Sequence, residues 1–160
     1  MLKVKFVPLI LALLLCFSAG VLGSVFTTSA IPNWYATLQK PFFNPPNWVF
    51  GPVWTLLYIM MGIALYIVWE TKVKKGVLKK NALVYFYTQL ILNAVWSIVF
   101  FGLHAPLIAL LVILLLWLSI FITIKQFYPI SKTAGNMLIP YLAWVSFAAI
   151  LNVFIVILNR

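Results

Sequence analysis

The polar side chains that interrupt this apolar sequence fall on helical spacing. Gln89, Asn93 and Ser97 stand at i, i+4 and i+8, with Trp96 beside Asn93 and Phe100 one turn further on. Pro140, Trp144, Ala148 and Asn152 repeat that spacing, and Trp54, Tyr58 and Met61 with Gly62 follow one face of another segment. Amides and hydroxyls in this pattern do hydrogen-bond chemistry. Indoles beside them add wide flat contact surface and one N–H donor each. Two readings are open at this level. The stripes are hydrogen-bond glue between helices, or they converge on a pocket for a large, flat, apolar ligand.

Other chemistries have little to work with. Glu70 is the only acid, His104 the only histidine and Cys16 the only cysteine. One of each cannot build the usual metal site or a catalytic triad within one chain. No intrachain disulfide is available. His104 falls in a short turn and reads as a solvated loop residue rather than a haem ligand. Cys16 reads as a small packing residue, with no activating base near it in sequence.

The elements that must carry the stripes follow from composition. The chain has 160 residues, 66% of them hydrophobic and 8% charged, against about 25% charged in an ordinary soluble domain. Most of its outer surface must therefore face lipid. Five segments are long and apolar enough to span a bilayer: Phe6 to Thr27, Trp48 to Trp69, Ala82 to Phe101, Pro106 to Ile124 and Met137 to Leu158. The expected fold is an all-α, five-transmembrane-helix bundle forming one domain over 1–160. The longest link, Ser29 to Asn47, holds Pro32, Pro41, Pro45 and Pro46, which predict a structured loop without a continuous helix. Glu70 to Lys80 reads as a basic loop broken at Gly76, Gly102 to Ala105 as a tight turn, and Lys125 to Asn136 as a polar link.

The formal net charge is +10. With five spans, Lys3, Lys5, Lys72, Lys74, Lys75, Lys79, Lys80, Lys125 and Lys132 share one side, and Lys40 and Arg160 the other, which accounts for all 11 basic residues. That asymmetry predicts a cytoplasmic amino terminus, with the proline loop on the opposite side. It also directs the positive charge to anionic lipid headgroups rather than nucleic acid. Lys3 and Lys5 ahead of an apolar run resemble a secretory signal, but the run continues through Val25 and Phe26, beyond the length of a signal core.

Of seven Trp, Trp48 and Trp69 at the ends of the second segment fit interfacial anchors. Trp54, Trp96, Trp117 and Trp144 lie deeper. Gly20, Gly23, Ser24 and Thr27 permit close approach of another helix, either inside the bundle or across a dimer.

Larger motifs then emerge. Trp34-Tyr35-x-x-Leu38-x-Lys40-Pro41, Pro45-Pro46, and Phe50-x-Pro52-Val53-Trp54-x-x-Leu57-Tyr58-x-x-Met61-Gly62-x-Ala64 come first. Gln89-x-x-x-Asn93-x-x-Trp96-Ser97-x-x-Phe100-Phe101 and Pro140-Tyr141-x-x-Trp144-x-x-Phe147-Ala148-x-x-Leu151-Asn152 follow. Together they resemble the signature of the TspO/MBR family, which includes translocator proteins, peripheral-type benzodiazepine receptors and tryptophan-rich sensory proteins. The resemblance spans nearly the whole chain. It implies a five-helix bundle, often dimeric, whose pocket is closed by the first loop. It implies no required cofactor, and protoporphyrin IX or haem as ligand, together with benzodiazepine-type and isoquinoline-type drugs. Carried over by motif, the ligand-binding residues are Trp34, Tyr35, Pro45, Trp54, Tyr58, Asn93, Trp96, Trp144 and Ala148, with Asn93 as the buried polar contact. The family's sterol-recognition pattern needs a Tyr before a basic residue, and the stretch from Asn152 to Arg160 has none.

Three functions fit that resemblance. A sensor or regulator binds porphyrin and leaves it intact. A carrier moves porphyrins or lipids, although the sequence shows none of the internal repeats of alternating-access transporters. A light-dependent porphyrin-degrading activity would use Trp34 and Trp144 to relay radicals from the excited ligand.

Overall fold

The computed structural model describes residues 4–74 and 76–159. Lys3, Lys75 and Arg160, three of the charges used to predict orientation, lie outside them. Helix α1 runs Phe6–Ala30 and continues as a π-helical turn over Ile31–Tyr35; α2 is Asn47–Glu70; α3 is Gly76–Ser97, again ending in a π turn, Ile98–Gly102. Helix α4 is Pro106–Phe127, and the short α5, Lys132–Met137, leads into α6, Ile139–Leu158. These elements make five spans, each long and apolar enough to cross a membrane, with α5 and α6 together forming the fifth. The expected five-helix architecture is therefore found.

The spans assemble through narrow stripes. Helix α1 buries Ala12, Cys16, Ala19 and Gly23, and α4 buries Ala109, Ile113, Leu116 and Ile120. The alternating three- and four-residue steps keep one seam facing inward. Many of the other Leu, Val and Ile side chains point out, with Leu14 61% and Leu111 63% exposed, as suits helices solvated by lipid. Small residues set the closest approach. A Cβ built on Gly62 would lie 3.0 Å from the Leu13 Cα, and one on Gly20 would lie 2.5 Å from the Tyr58 ring. The small-residue face of α1 is thus used inside the bundle.

Several expected boundaries are corrected. Pro32 sits inside a helical stretch rather than a loop. A π turn changes the hydrogen-bonding register there, which accommodates the N–H that proline lacks. Gly76 opens α3 instead of breaking a loop, so Lys79 and Lys80 are helical, and the link after Lys125 contains α5. Ser131 caps α5, its Oγ accepting from the Ala134 N–H at 3.3 Å.

The two ends of the bundle are tied differently. At the lysine-rich end, Lys5 Nζ lies 2.8 Å from Glu70 Oε2, joining the start of α1 to the end of α2. That hydrogen bond holds the Lys5 ammonium above its ordinary pKa. Lys79 Nζ donates to the carbonyls of Trp69 at 2.5 Å and Thr71 at 3.1 Å. A cation there offsets the negative end of α2. At the other end, residues 38–46 fold over the helices. Tyr35 donates its hydroxyl to Asn44 Oδ1 at 2.8 Å, and Phe43 packs edge-on against Phe154 with ring centroids 5.2 Å apart.

Candidate functional site

Toward that end of the bundle, α1, α2, α3 and α6 surround a cavity of about 680 Å³, within the range of small-molecule sites. Its walls are rich in aromatic rings. Trp54 stacks on Tyr58 at 5.7 Å and meets Tyr141 edge-on at 6.2 Å. Phe50 stands edge-on to Trp144 at 6.1 Å, and Trp96 stacks on Phe100 at 5.3 Å. The helical spacing read from the sequence is what aims these rings at one another. Trp54 and Tyr58 are one turn apart, as are Trp96 and Phe100.

The floor is polar and closed on itself. Tyr58 donates its hydroxyl to Asn93 Oδ1 at 2.6 Å, and Asn93 Nδ2 donates to the Tyr141 hydroxyl at 3.0 Å. Trp96 Nε1 donates to Asn152 Oδ1 at 3.2 Å, and Asn152 Nδ2 donates to the Pro106 carbonyl at 2.8 Å. On the α1 side, the Thr27 and Ser97 hydroxyls pair at 2.9 Å beside the Gly23 carbonyl. Trp144 differs from the other indoles. Its Nε1 is buried and has no acceptor. An indole nitrogen can only donate, so this N–H is a buried donor left without a partner, although the residue's ring borders the cavity.

Of the residues expected at the site, Tyr35, Trp54, Tyr58, Asn93, Trp96, Trp144 and Ala148 border the cavity. Trp34 and Pro45 are not in its lining. Trp34 stacks on His104 at 4.5 Å and 15° and meets Phe100 edge-on at 5.6 Å, so it buttresses the turn between α3 and α4. Pro45 gives its carbonyl to Asn44 Nδ2 at 3.1 Å within the loop. Asn93 is only 3% exposed and engages two phenols. It therefore satisfies both readings of its stripe, as glue and as cavity floor.

The sequence reading passed over the α1 wall, formed by Phe17, Gly20, Val21, Ser24 and Thr28, and over Phe50, Gly51 and Thr55 on α2. The signal for α1 was present in its small residues, but the same residues signal packing. Tyr141 was likewise visible in a motif without a role. Among the described residues no three His, Cys, Asp or Glu side chains gather. The cavity offers indole, phenol, amide and hydroxyl groups to an occupant.

A multi-pass membrane bundle with an aromatic-rich cavity between its helices is the class this architecture defines. The family model of the TspO/MBR family matches residues 12–158. The chain is 46% identical over 151 residues to the tryptophan-rich protein TspO of Archaeoglobus fulgidus, covering 94% of this chain and 96% of that protein. It is 37% identical over 144 residues to the tryptophan-rich sensory protein of Cereibacter sphaeroides, covering 88% and 87%. It is 41% identical over 133 residues to the human translocator protein, covering 81% and 77%. The chain belongs to the TspO/MBR family and is an integral, multi-pass membrane protein.

Proposed function

We propose that this protein binds a flat tetrapyrrole such as protoporphyrin IX between α1, α2, α3 and α6 and acts as a membrane sensor or regulator. The observation that carries this reading is the cavity itself. It holds about 680 Å³ between Trp54, Trp96 and Trp144, whose indole faces suit a planar macrocycle. Trp144 contributes indole surface to the cavity lining, while its Nε1 is buried away from that space. The Asn93 floor is already paired, so its contribution is to hold Tyr58 and Tyr141 in place. The name of one relative, a tryptophan-rich sensory protein, agrees with a sensing role.

The test is a dark titration of the detergent-solubilised protein with protoporphyrin IX, followed by Trp fluorescence. Saturable quenching at one ligand per chain, weakened by Trp144→Phe, is the expected outcome. Linear quenching indifferent to that change means simple partition into the micelle and overturns the reading. Recovering the ligand unchanged after illumination separates a sensor from a photochemical enzyme.

A further inference from the structure

The cavity is not closed equally on all sides. Its α3 and α6 lining includes Asn93, Phe100, Leu151 and Asn152, all buried. On α1 and α2, by contrast, several lining residues are exposed. Val21, Ser24 and Thr28 form one such row, and Trp48, Gly51 and Thr55 the facing row. Each row follows three- and four-residue steps, one face of its helix. A residue that borders an interior space and is also exposed marks an opening. Here two whole rows mark a slot between α1 and α2.

Packing fixes the lower edge of the slot. The helices touch where Gly62 meets Leu13 and where Gly20 meets Tyr58. Above that contact they part, and a Cβ built on Gly51 would find nothing within 4 Å. Thr55 lies eight residues into α2, about 12 Å along its axis. At that depth the slot faces hydrocarbon rather than water at its Thr55 end, while Trp48 marks its interfacial end. Its rim hydroxyls need no water either. Ser24 Oγ donates to the Val21 carbonyl at 2.8 Å, and Thr55 Oγ1 to the Gly51 carbonyl at 2.9 Å, so both sit in lipid with their protons placed.

We propose that the cavity exchanges its occupant with the lipid phase through this α1–α2 slot. The molecule taken is then one already dissolved in the bilayer, thin enough to pass edge-on between two helices. For the tetrapyrrole, this inference rests on the reading above and adds its route.

The first arm of the test needs no tetrapyrrole. Ala148 is 9% exposed and lines the far wall of the cavity. Ala148→Cys, in liposomes, is treated with N-ethylmaleimide and separately with a charged, impermeant thiosulfonate. The native Cys16 is fully buried. A Cys16→Ala version of the same protein removes its background. The expected result is labelling by the maleimide at least tenfold faster than by the charged reagent, slowed about tenfold by Gly51→Trp. Equal labelling by the charged reagent, or indifference to Gly51→Trp in a protein with native helicity, overturns the slot. The second arm follows protoporphyrin IX by stopped flow in the dark. Gly51→Trp is expected to lower association and dissociation rates together about tenfold. Unchanged rates overturn the route. Absence of saturable binding by the wild type removes the tetrapyrrole, while the labelling arm still decides the slot.

Discussion

Tyr58 and Asn93 lie 35 positions apart in sequence, and the Tyr58 hydroxyl reaches the Asn93 carboxamide oxygen over 2.6 Å in the bundle interior. The same carboxamide donates to Tyr141, so one side chain joins α2, α3 and α6 beneath the cavity. Removing it leaves two buried phenols short of a partner, at about 1–3 kcal/mol for each unsatisfied group. Asn93→Ala is expected to lower stability by about 2 kcal/mol. Combined with Tyr58→Phe, it should show a coupling of about 0.5–1.5 kcal/mol, as for hydrogen bonds between membrane helices. Reversible unfolding of the four proteins in mixed micelles measures it. Simple additivity would show that the bond contributes nothing of its own.

Trp144 presents the opposite balance. Its buried N–H has no acceptor, so the fold carries a desolvation cost at this indole. Trp144→Phe should leave stability unchanged or raise it by up to about 1 kcal/mol, while weakening dark protoporphyrin IX binding about tenfold. Stability and affinity then move apart, the usual mark of a functional residue. Thermal unfolding and the titration, run on the same preparation, check both signs. A large loss of stability would assign the indole to the core instead.

Glycines at two positions on α2 should respond in opposite directions. At Gly62 a methyl group would lie 2.7 Å from Leu13 Cδ2 and 3.0 Å from its Cα, so backbone as well as side chain must move. Gly62→Ala is expected to cost about 1–3 kcal/mol. At Gly51 a methyl meets nothing within 4 Å, and Gly51→Ala should gain up to about 1 kcal/mol from helix propensity. Unfolding midpoints in one detergent compare them directly. Equal effects would mean that α1 and α2 do not part above Gly20.

Much of this was legible because lipid makes few patterns permissible. Span length and helical spacing placed the bundle, and the Trp54–Tyr58 and Trp96–Phe100 repeats placed part of the cavity wall. What was not legible has specific causes. Pro32 argues against helix only while an α ladder is assumed, and the π turn over Ile31–Tyr35 changes that ladder. Gly20, Ser24 and Thr28 look alike whether they face a helix or a ligand. Trp34 carries the same indole as Trp144, and only the fold sets it against His104 rather than in the cavity lining.

The loop between α1 and α2 is held by a reciprocal pair. The Gln39 backbone N–H donates to Asn159 Oδ1, and Asn159 Nδ2 donates to the Gln39 carbonyl, both at 2.9 Å. The last turn of α6 thus clips the loop from below, while the pair itself stays exposed. Hydrogen bonds exposed to water contribute about 0.5–1.5 kcal/mol each at most, so the clip holds the loop without committing the bundle. Asn159→Ala is expected to raise protease cutting within residues 38–46 about fivefold and to leave the unfolding midpoint within error. If occupants pass between α1 and α2, the same variant leaves protoporphyrin IX association and dissociation rates unchanged, because loop opening is not on the path. A parallel rise in cutting and in both rates would instead place the route through the loop. Limited proteolysis and stopped flow on this one variant therefore separate the two doors of the cavity.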